Sequence, residues 1–393
     1  MRIEPLAVPA GAAALEVLPR LALALEGGSP VAPYAVGSPP PDLAPAAVDE
    51  GVDEPPAGLA VAIGTSGSTG APKRAMLTAA NLRSSIDATA ARLGGHGQWL
   101  LTVPGHHIAG LQVLLRSVVA GTTPHVMDLS DGFSPATWVA AVDAMPDTDL
   151  PTYVSVVPTQ LTRLLADDDA TGRLARFTAV LVGGAATHPD LLTRAAAAGV
   201  TAVTTYGMSE TAGGCVYDGR PLDGMSVDLD TDGRISLRGA TVASGYLGDP
   251  ARTHDAFPSP GTFRTDDIGH LDPDGRLRVD GRIDDLVNTG GLKVAPRLVE
   301  EAVSRLDGIS EAVAVGVPDP EWGEVLAVVV VRERSSSTPG PAPTVSGLRE
   351  QLRGILPDHA LPRAVREVDA IPVRGPGKPD RAAIRALFGA VGE

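Results

Sequence analysis

A short apolar run followed by a loop of small and hydroxyl-bearing residues constrains the fold more than any other segment. Residues 59–63 read Leu-Ala-Val-Ala-Ile, residues 64–73 read Gly-Thr-Ser-Gly-Ser-Thr-Gly-Ala-Pro-Lys, and residues 78–93 predict a helix. A buried strand that leads through such a loop into a helix is typical of layered α/β domains. We therefore expect an α/β domain with ligand loops at its strand ends.

Apolar runs alternate with helical stretches further along the chain. We predict strands at residues 99–103, 153–157, 179–182 and 203–205, with helices at 158–165 and 189–198. Residues 224–280 carry short strands and Asp-Gly turns, and an α+β module of about 110 residues follows. Residues 1–58 predict one short helix, at 15–25, and a loop rich in proline. The expected fold is a large N-terminal layered α/β domain with a β-rich subdomain, plus a small α+β C-terminal domain.

The composition excludes several classes of protein. The chain has 32 basic and 47 acidic residues, a net charge of −15, whereas binding to a nucleic-acid backbone needs a basic face. One cysteine, Cys215, excludes an intrachain disulfide and a cysteine-cluster metal site. There is no leader pattern, and no apolar run approaches the ~20 residues of a membrane span. We expect a cytoplasmic protein without nucleic-acid partners.

The loop at residues 64–73 predicts an anion site. Small residues leave backbone N–H groups free to surround an anion, hydroxyls add donors, and Lys73 adds a charge. A flexible linker is the alternative, but linkers seldom lie between a buried strand and a helix. A Walker A loop would end in Gly-Lys-Ser/Thr, whereas Gly70 is followed here by Ala-Pro-Lys. The residues expected to hold phosphate are Thr65, Ser66, Gly67, Ser68, Thr69, Gly70 and Lys73.

This loop and several later segments, in order, resemble the signatures of the adenylate-forming superfamily. That superfamily includes acyl-CoA ligases, luciferases and peptide-synthetase adenylation domains. The resemblance extends over residues 59–390, and the later segments are Pro104–Leu111, Leu181–Ala185, Thr204–Thr211, Phe263–Gly269, Gly281–Leu286, Asn288–Val294 and Pro372–Arg381. It implies an adenylation domain at 1–281, a hinge at 282–285 with Asp284 as pivot, and a mobile C-terminal domain at 286–393.

The resemblance implies ATP as a substrate and Mg²⁺ as its companion. Glu210 would hold the metal, since Mg²⁺ prefers carboxylate and phosphate oxygens. Tyr206 would pack on adenine, and Asp267 would accept from both ribose hydroxyls, although Asp266 stands where the family usually has glycine. The remaining nucleotide contacts implied are Gly183, Gly184, Ala185, Gly207, Ser209 and Arg282.

The resemblance also implies two sets of catalytic groups. In the first half-reaction, Lys378 would stabilise the negative charge that builds on the α-phosphate, with Lys73 and His107 also in the site. After a domain rotation, a loop containing Gly290, Gly291 and Lys293 would serve thioester formation with CoA.

The segments at residues 156–161 and 206–217 are similar to the 2-succinylbenzoate–CoA ligases of menaquinone biosynthesis. By that likeness His107, Gly213 and Gly214 would line the pocket for 2-succinylbenzoate or a related aryl carboxylate. Alternatives are another aryl or acyl-CoA ligase, a carrier-loading adenylation enzyme, and a non-catalytic nucleotide-binding homologue. The retained Lys73, Glu210, Asp267 and Lys378 argue against the last. A homodimer is compatible with the sequence.

Overall fold

A computed structural model describes residues 2–43, 56–65, 73–130, 132–332, 342–374 and 378–389. Its contacts divide the chain into two units, each described by itself. The first comprises Met1–Asp228, Ser236–Thr265 and Asp272–Leu277, and the second comprises Leu229–Ile235, Asp266–Leu271 and Arg278–Glu393. The predicted α/β class is confirmed.

The first unit contains eleven complete strands and eight α-helices among the described residues. The strands are β1 Glu4–Val8, β2 Val31–Ala35, β3 Leu59–Gly64, β4 Arg74–Thr78, β5 Gln98–Leu101, β6 His125–Val126, β7 Thr152–Val156, β8 Ala179–Val182, β9 Ala202–Met208, β10 Gly213–Tyr217 and β11 Arg220–Pro221. The helices are α1 Leu18–Leu25, α2 Ala79–Leu93, α3 Ile108–Ala120, α4 Pro135–Asp143, α5 Pro158–Leu164, α6 Asp168–Leu174, α7 Pro189–Ala197 and α8 Pro250–Ala256.

These strands form two sheets. The first has the order β1-β2-β3-β4, and the second has the order β11-β10-β9-β8-β7-β5-β6. In the second sheet β6, β5, β7, β8 and β9 are parallel neighbours, whereas β10 and β11 are antiparallel additions. Strands β1 and β2 were not predicted. They pair in parallel at the edge of the first sheet, in a segment whose alanine and proline content masks any alternation.

The second sheet is buried on both faces, as the apolar runs of its strands predict. One face, with Trp99, Leu101 and Leu181, packs in a core with helices α1 to α3 and the first sheet. The opposite face, with Leu100 and Val180, packs against α4 to α7. The two-residue alternation of strand side chains sorts neighbouring residues into different cores.

A third sheet has the order β12-β13-β14-β15, and the division into units falls within its strands. Turns at Asp230–Gly233 and Asp272–Gly275 occur where Asp-Gly pairs predicted them, each closed by a backbone hydrogen bond to its first residue. The strands are β12 Met225–Leu229, β13 Arg234–Gly239, β14 Thr262–Leu271 and β15 Leu277–Arg282.

The remainder of the second unit is built on the antiparallel pair β18 and β19. One face of this pair packs with α9 and α10, and the other with Ile371 and α11. A 3-10 turn, Ile283–Asp285, precedes these elements, which are β16 Val287–Thr289, β17 Leu292–Val294, α9 Pro296–Val303, β18 Ile309–Asp319, β19 Gly323–Arg332, α10 Val345–Leu352, β20 Ala364–Glu367, β21 Val373–Arg374, β22 Lys378–Pro379 and α11 Arg381–Ala386. Within the described ranges no helix combines the length and apolarity needed to cross a membrane.

Candidate active site

The parallel strands of the second sheet bring several predicted segments to one edge. Strands β5, β7, β8 and β9 run in the same direction, so the residues after each lie at the same side of the sheet. These residues are His106 and His107 after β5, Val157 after β7, Gly183 to Ala185 after β8, and Ser209 to Thr211 after β9. Ligands of open α/β sheets bind at this edge.

The ends of the predicted phosphate loop lie beside Ser209. The Thr65 N–H donates to the Lys73 carbonyl at 2.9 Å, so the two ends of the loop are tied together. The Ser209 hydroxyl is buried and donates to the Gly64 carbonyl at 3.0 Å. Its proton is therefore engaged with backbone in this structure. Five predicted phosphate contacts lie outside the described residues: Ser66, Gly67, Ser68, Thr69 and Gly70.

A buried polar cluster joins Glu210 to Lys73 through Tyr246. The Tyr246 hydroxyl donates to Glu210 Oε1 at 2.8 Å, and the two residues are 5% and 7% exposed. Lys73 Nζ lies 5.2 Å from the centroid of the Tyr246 ring. The structure thus brings together the predicted metal ligand and the lysine of the phosphate loop.

The donor set around Glu210 fits Mg²⁺ held jointly with a nucleotide. The described residues contain no group of three or more His, Cys, Asp and Glu side chains able to cage a metal. Mg²⁺ is commonly bound by one or two carboxylates together with substrate phosphates. A single buried carboxylate beside the loop lysine matches that arrangement, so Glu210 would be the protein ligand.

Gly183 and Gly184 follow β8, and each has its own structural reason for being glycine. A Cβ on Gly183 would lie 2.2 Å from Thr205 Oγ1 on β9, so packing against the neighbouring strand requires glycine there. Gly184 has φ +80°, a left-handed conformation, and is exposed. The next residue, Ala185, is half-buried. The sequence predicted both glycines as an approach to adenine, and the structure supplies a packing reason for the first.

Strand β9 carries two further predicted nucleotide contacts, Tyr206 and Gly207, both half-buried. Gly207 faces Gly214 across the β9–β10 pairing. A Cβ at Gly207 would lie 2.1 Å from the Gly213 carbonyl oxygen, so the close approach of β10 excludes any side chain.

The residues predicted to line an acyl pocket lie at the start of α3 and of β10. His107 is the N-cap residue of α3, makes no side-chain capping bond there, and is exposed. The ring of His106 lies 4.2 Å from that of His107, and burial, together with the neighbouring His107, lowers the pKa of His106 to about 4. On the opposite side, the Cβ position of Gly213 lies 3.3 Å from Gln112 Cγ on α3.

Gln112, next to Gly213, is a buried polar residue that the sequence did not indicate. Its amide Nε2 donates to the Ala212 carbonyl at 2.5 Å, whereas its buried Oε1 has no hydrogen-bond partner among the described residues. Cys215, on β10, is fully buried, and burial raises the pKa of its thiol to about 12. This thiol is therefore not a nucleophile at neutral pH.

In the second unit, the predicted ribose and hinge residues form one ion-pair cluster. Arg282 binds Asp284 with two hydrogen bonds, of 2.8 and 3.1 Å. Its guanidinium also lies 3.7 Å from Asp267 and 3.6 Å from Asp266, which in turn pairs with Arg234 at 2.9 Å. Burial by itself lowers the pKa of Arg282, but the bond to Asp284 and the charges of the other carboxylates outweigh it and raise that pKa.

Asp266 and Asp267 have different environments. The Asp267 side chain is 13% exposed, whereas that of Asp266 is 55% exposed and lies between two arginines. The more enclosed carboxylate is therefore the one that the resemblance assigns to ribose.

The predicted thioester loop is shaped by Trp322. Gly290 has φ +59°, and a Cβ there would lie 2.7 Å from the Trp322 ring. Gly291 also has positive φ, +82°, but its Cβ position is open. Lys293, on β17, is exposed. Trp322 and the guanidinium of Arg363, whose Cζ lies 4.3 Å from the Trp322 ring centroid, were not indicated by the sequence.

Lys378 begins the short strand β22, which pairs with β21. Three residues further on, Arg381 contacts Asp285 at 3.5 Å and Glu300 at 2.9 Å. This arginine ties the helix after the Lys378 segment to the turn that contains Asp284.

Comparison with known proteins first gives the class. The AMP-binding enzyme family matches residues 19–247, and the AMP-binding enzyme C-terminal domain matches residues 298–378. The first match spans more than half of the chain, which therefore belongs to the AMP-binding enzyme family. The predicted membership of the adenylate-forming superfamily is confirmed.

Individual relatives narrow this class. The chain is 43% identical over 390 residues, 98% of both sequences, to the probable 2-succinylbenzoate–CoA ligase of Mycobacterium tuberculosis (strain CDC 1551 / Oshkosh). It is 31% identical over 342 residues to the 2-succinylbenzoate–CoA ligase of Geobacillus sp. (strain WCH70). That alignment covers 80% of this chain and 66% of the Geobacillus protein. The fold matches o-succinylbenzoate CoA synthetase of Bacillus subtilis, solved with its acyl-adenylate intermediate, with a TM-score of 0.72 at 20% identity over 98% of this chain and 88% of that one.

Proposed function

We propose that this enzyme is a 2-succinylbenzoate–CoA ligase, which converts the acid, ATP and CoA into the CoA thioester, AMP and pyrophosphate in menaquinone biosynthesis. The observation that carries the proposal is the 43% identity to the Mycobacterium tuberculosis protein over 98% of both chains. The buried Glu210–Tyr246 pair, with the half-buried Lys73 over the tyrosine ring, supports nucleotide chemistry in the first unit.

In the first half-reaction, a carboxylate oxygen of the substrate attacks the α-phosphorus of ATP. The bond from that phosphorus to the β-phosphate bridging oxygen breaks, and pyrophosphate leaves with the electron pair. Lys73 and the loop beside it neutralise phosphate charge, and Lys378 stabilises the charge on the reacting phosphorus centre. Mg²⁺, when bound at Glu210, supplies electrostatic stabilisation of the phosphate oxygens.

In the second half-reaction, the CoA sulfur attacks the acyl carbonyl carbon and AMP leaves. We propose that residues 282–285 are the hinge between a domain at 1–281 and a mobile domain at 286–393. Rotation about Asp284 would withdraw Lys378 and present the Gly290–Lys293 segment. The exposed ion pair between Arg282 and Asp284 supports this, because ion pairs at the surface exchange at little free-energy cost.

The acyl pocket would lie between the start of α3 and β10. His107 and Gly213 would flank the activated carboxylate, and Gly214 would leave room for the aryl ring. Gln112, next to Gly213, would form part of the pocket floor. The cytoplasmic location and a homodimer remain predictions of the sequence.

A coupled assay that measures AMP and CoA thioester tests the proposal with a panel of acids. We expect 2-succinylbenzoate to have the highest kcat/KM, above benzoate, phenylpropionate and medium-chain fatty acids. Turnover of fatty acids without turnover of 2-succinylbenzoate would reassign the enzyme to another acyl-CoA ligase. Absence of ATP–pyrophosphate exchange with every acid would favour a nucleotide-binding protein without catalysis.

Lys378→Ala tests the two-step mechanism. We expect adenylate formation to fall by roughly 100- to 1,000-fold, the usual effect of removing one group that stabilises developing charge. Thioester formation from supplied acyl-adenylate should stay within about threefold of wild type, because Lys378 is withdrawn in that step. Equal losses in both half-reactions would contradict the exchange of catalytic groups.

A further inference from the structure

We propose that Tyr246 is a positioning residue that holds the Glu210 carboxylate and the Lys73 ammonium in register for ATP-Mg²⁺. This inference rests on the proposed nucleotide site of the first unit. Neither the glycine-rich loop nor the segment around Glu210 predicts it, since Tyr246 lies in neither.

The first step is the hydrogen bond to Glu210. The Tyr246 hydroxyl donates to Oε1 at 2.8 Å, and both side chains are more than nine-tenths buried. A hydroxyl donor to a carboxylate in a poorly solvated site is a strong, directional interaction. It commits one carboxylate oxygen and thereby fixes the plane of the group that would hold the metal.

The second step is the contact with Lys73. The ammonium lies 5.2 Å from the centroid of the Tyr246 ring, within the range of a cation–π interaction. The face of the ring attracts the charge without occupying the hydrogen-bond donors of the ammonium. One side chain therefore acts on two groups that belong to different segments of the chain.

The third step is the rigidity of Tyr246 itself. Its backbone forms an isolated antiparallel bridge with Ala75, and the Leu247 N–H donates to the Arg74 carbonyl at 2.9 Å. The ring packs edge-on against Phe257 at 5.3 Å. The segment around residue 246 thus runs alongside β4, which starts directly after Lys73, and these contacts hold the ring next to both groups.

Tyr246→Phe removes only the hydroxyl. We expect the Mg²⁺ concentration that gives half-maximal ATP–pyrophosphate exchange to rise about 10- to 100-fold, as is usual when a partner of a metal ligand is lost. Binding of Mn²⁺-ATP without any acid, followed by the paramagnetic resonance of Mn²⁺, should weaken by a similar factor. This readout does not depend on the acyl substrate, so failure of 2-succinylbenzoate turnover leaves it decisive.

Tyr153→Phe is the matched control. The Tyr153 side chain is also buried, and its hydroxyl donates to the Leu93 and Gly95 carbonyls, away from Glu210. We expect this variant to keep the wild-type Mg²⁺ dependence and Mn²⁺-ATP affinity. Tyr246→Leu, which removes the ring as well, should also weaken ATP binding at saturating Mg²⁺.

Introducing Tyr246→Phe into a Glu210→Gln variant separates a positioning role of Tyr246 from a role in folding. In that variant Tyr246→Phe should change Mg²⁺ dependence less than twofold, because the charged partner is already absent. An unchanged Mg²⁺ requirement in Tyr246→Phe overturns the proposal, even if its Tm falls. So does a wild-type protein that fails to bind Mn²⁺-ATP, or an equal effect of Tyr246→Phe in both backgrounds.

Discussion

The two units hold the residues proposed to bind the nucleotide by different physical means. In the first unit, Glu210 and Tyr246 are 7% and 5% exposed and share a single directed hydrogen bond. In the second, the side chains of Arg282, Asp284 and Asp266 are 44%, 49% and 55% exposed. A buried hydrogen bond to a charge defines one geometry, whereas exposed ion pairs contribute about 0 to 1 kcal/mol and can change partners.

This difference matches the tasks proposed for the two regions. A metal ligand beside a phosphate loop must keep its position while charge develops, and reorganisation there would slow the reaction. A hinge must leave one set of contacts for another without a large barrier. The same physical argument ranks the consequences of substitution in the two clusters.

The largest effect is expected for Glu210→Gln in the buried cluster. The amide retains an oxygen that accepts from Tyr246 but loses the charge that would bind Mg²⁺. ATP–pyrophosphate exchange should therefore fall about 100-fold or more, with a change in Tm of only a few degrees. The exposed Glu301→Gln, in the pair with Arg297, serves as control. A loss of less than fivefold in Glu210→Gln would remove the proposed metal ligand.

The next largest effect is expected for Gly290→Ala, with Gly291→Ala as its control. Both positions have positive φ, but only the Cβ at 290 would meet the Trp322 ring, at 2.7 Å. We expect Gly290→Ala to lower the free energy of unfolding by about 1 to 3 kcal/mol more than Gly291→Ala, and to slow thioester formation selectively. Urea unfolding and single-turnover CoA transfer would measure this, and equal behaviour of the two variants would refute a role for Trp322.

Asp266→Gly tests the exposed cluster. Because Asp266 contacts two arginines at the surface, we expect only a two- to threefold change in KM for ATP, about 0.5 kcal/mol. The change should diminish as salt is raised, since exposed charges are screened. Steady-state kinetics at low and high ionic strength would detect it. A loss above 30-fold, or one insensitive to salt, would show that Asp266 acts directly on the nucleotide.

A further effect, on stability rather than on catalysis, concerns the pH dependence at His106. Burial and the neighbouring His107 lower its pKa from 6.5 to about 4, so the unfolded chain takes up a proton first as pH falls. The folded state should therefore lose stability between about pH 6.5 and 4. His106→Gln should flatten that decline by roughly 1 kcal/mol, since the half-buried ring remains partly screened by solvent. Urea midpoints at neutral and acidic pH would show the difference, and parallel declines would contradict it.

Much of the fold could be predicted because its signals are local. The run 179–182 is a strand with those bounds, and the helix predicted at 78–93 occurs as α2, capped by Thr78. Strands β1 and β2 were missed because pairing with β3, rather than their own alternation, holds them in the sheet. The helices predicted at 158–165 and 189–198 each end one residue early, at Leu164 and Ala197, where caps and packing decide the last turn.

Part of the candidate site, like part of the fold, could be predicted from the sequence. The order of the glycine-rich loop, Glu210, Asp267 and Arg282 can be read directly, because each lies in a segment that resembles a signature of the superfamily. The positions of Tyr246, Gln112 and Trp322 cannot, since none lies in a segment with a periodicity or spacing of its own. Gly183 was predicted as a contact to adenine, but the sequence did not indicate that packing against Thr205 requires glycine at this position.

The sequence by itself determined the class of the protein, the order of its elements and the residue types available to bind phosphate, metal and ribose. The order of the elements depends on local composition and on the alternation of apolar residues, which act over a few neighbours, whereas the class and the binding residues follow from the resemblance of several segments to the signatures of the superfamily. Only the tertiary structure decided which side chain holds Glu210, because a hydrogen bond across 36 residues of chain depends on how β4 and the segment after β13 pack. Folding places such partners together through packing and solvent exclusion, and neither leaves a pattern along the chain.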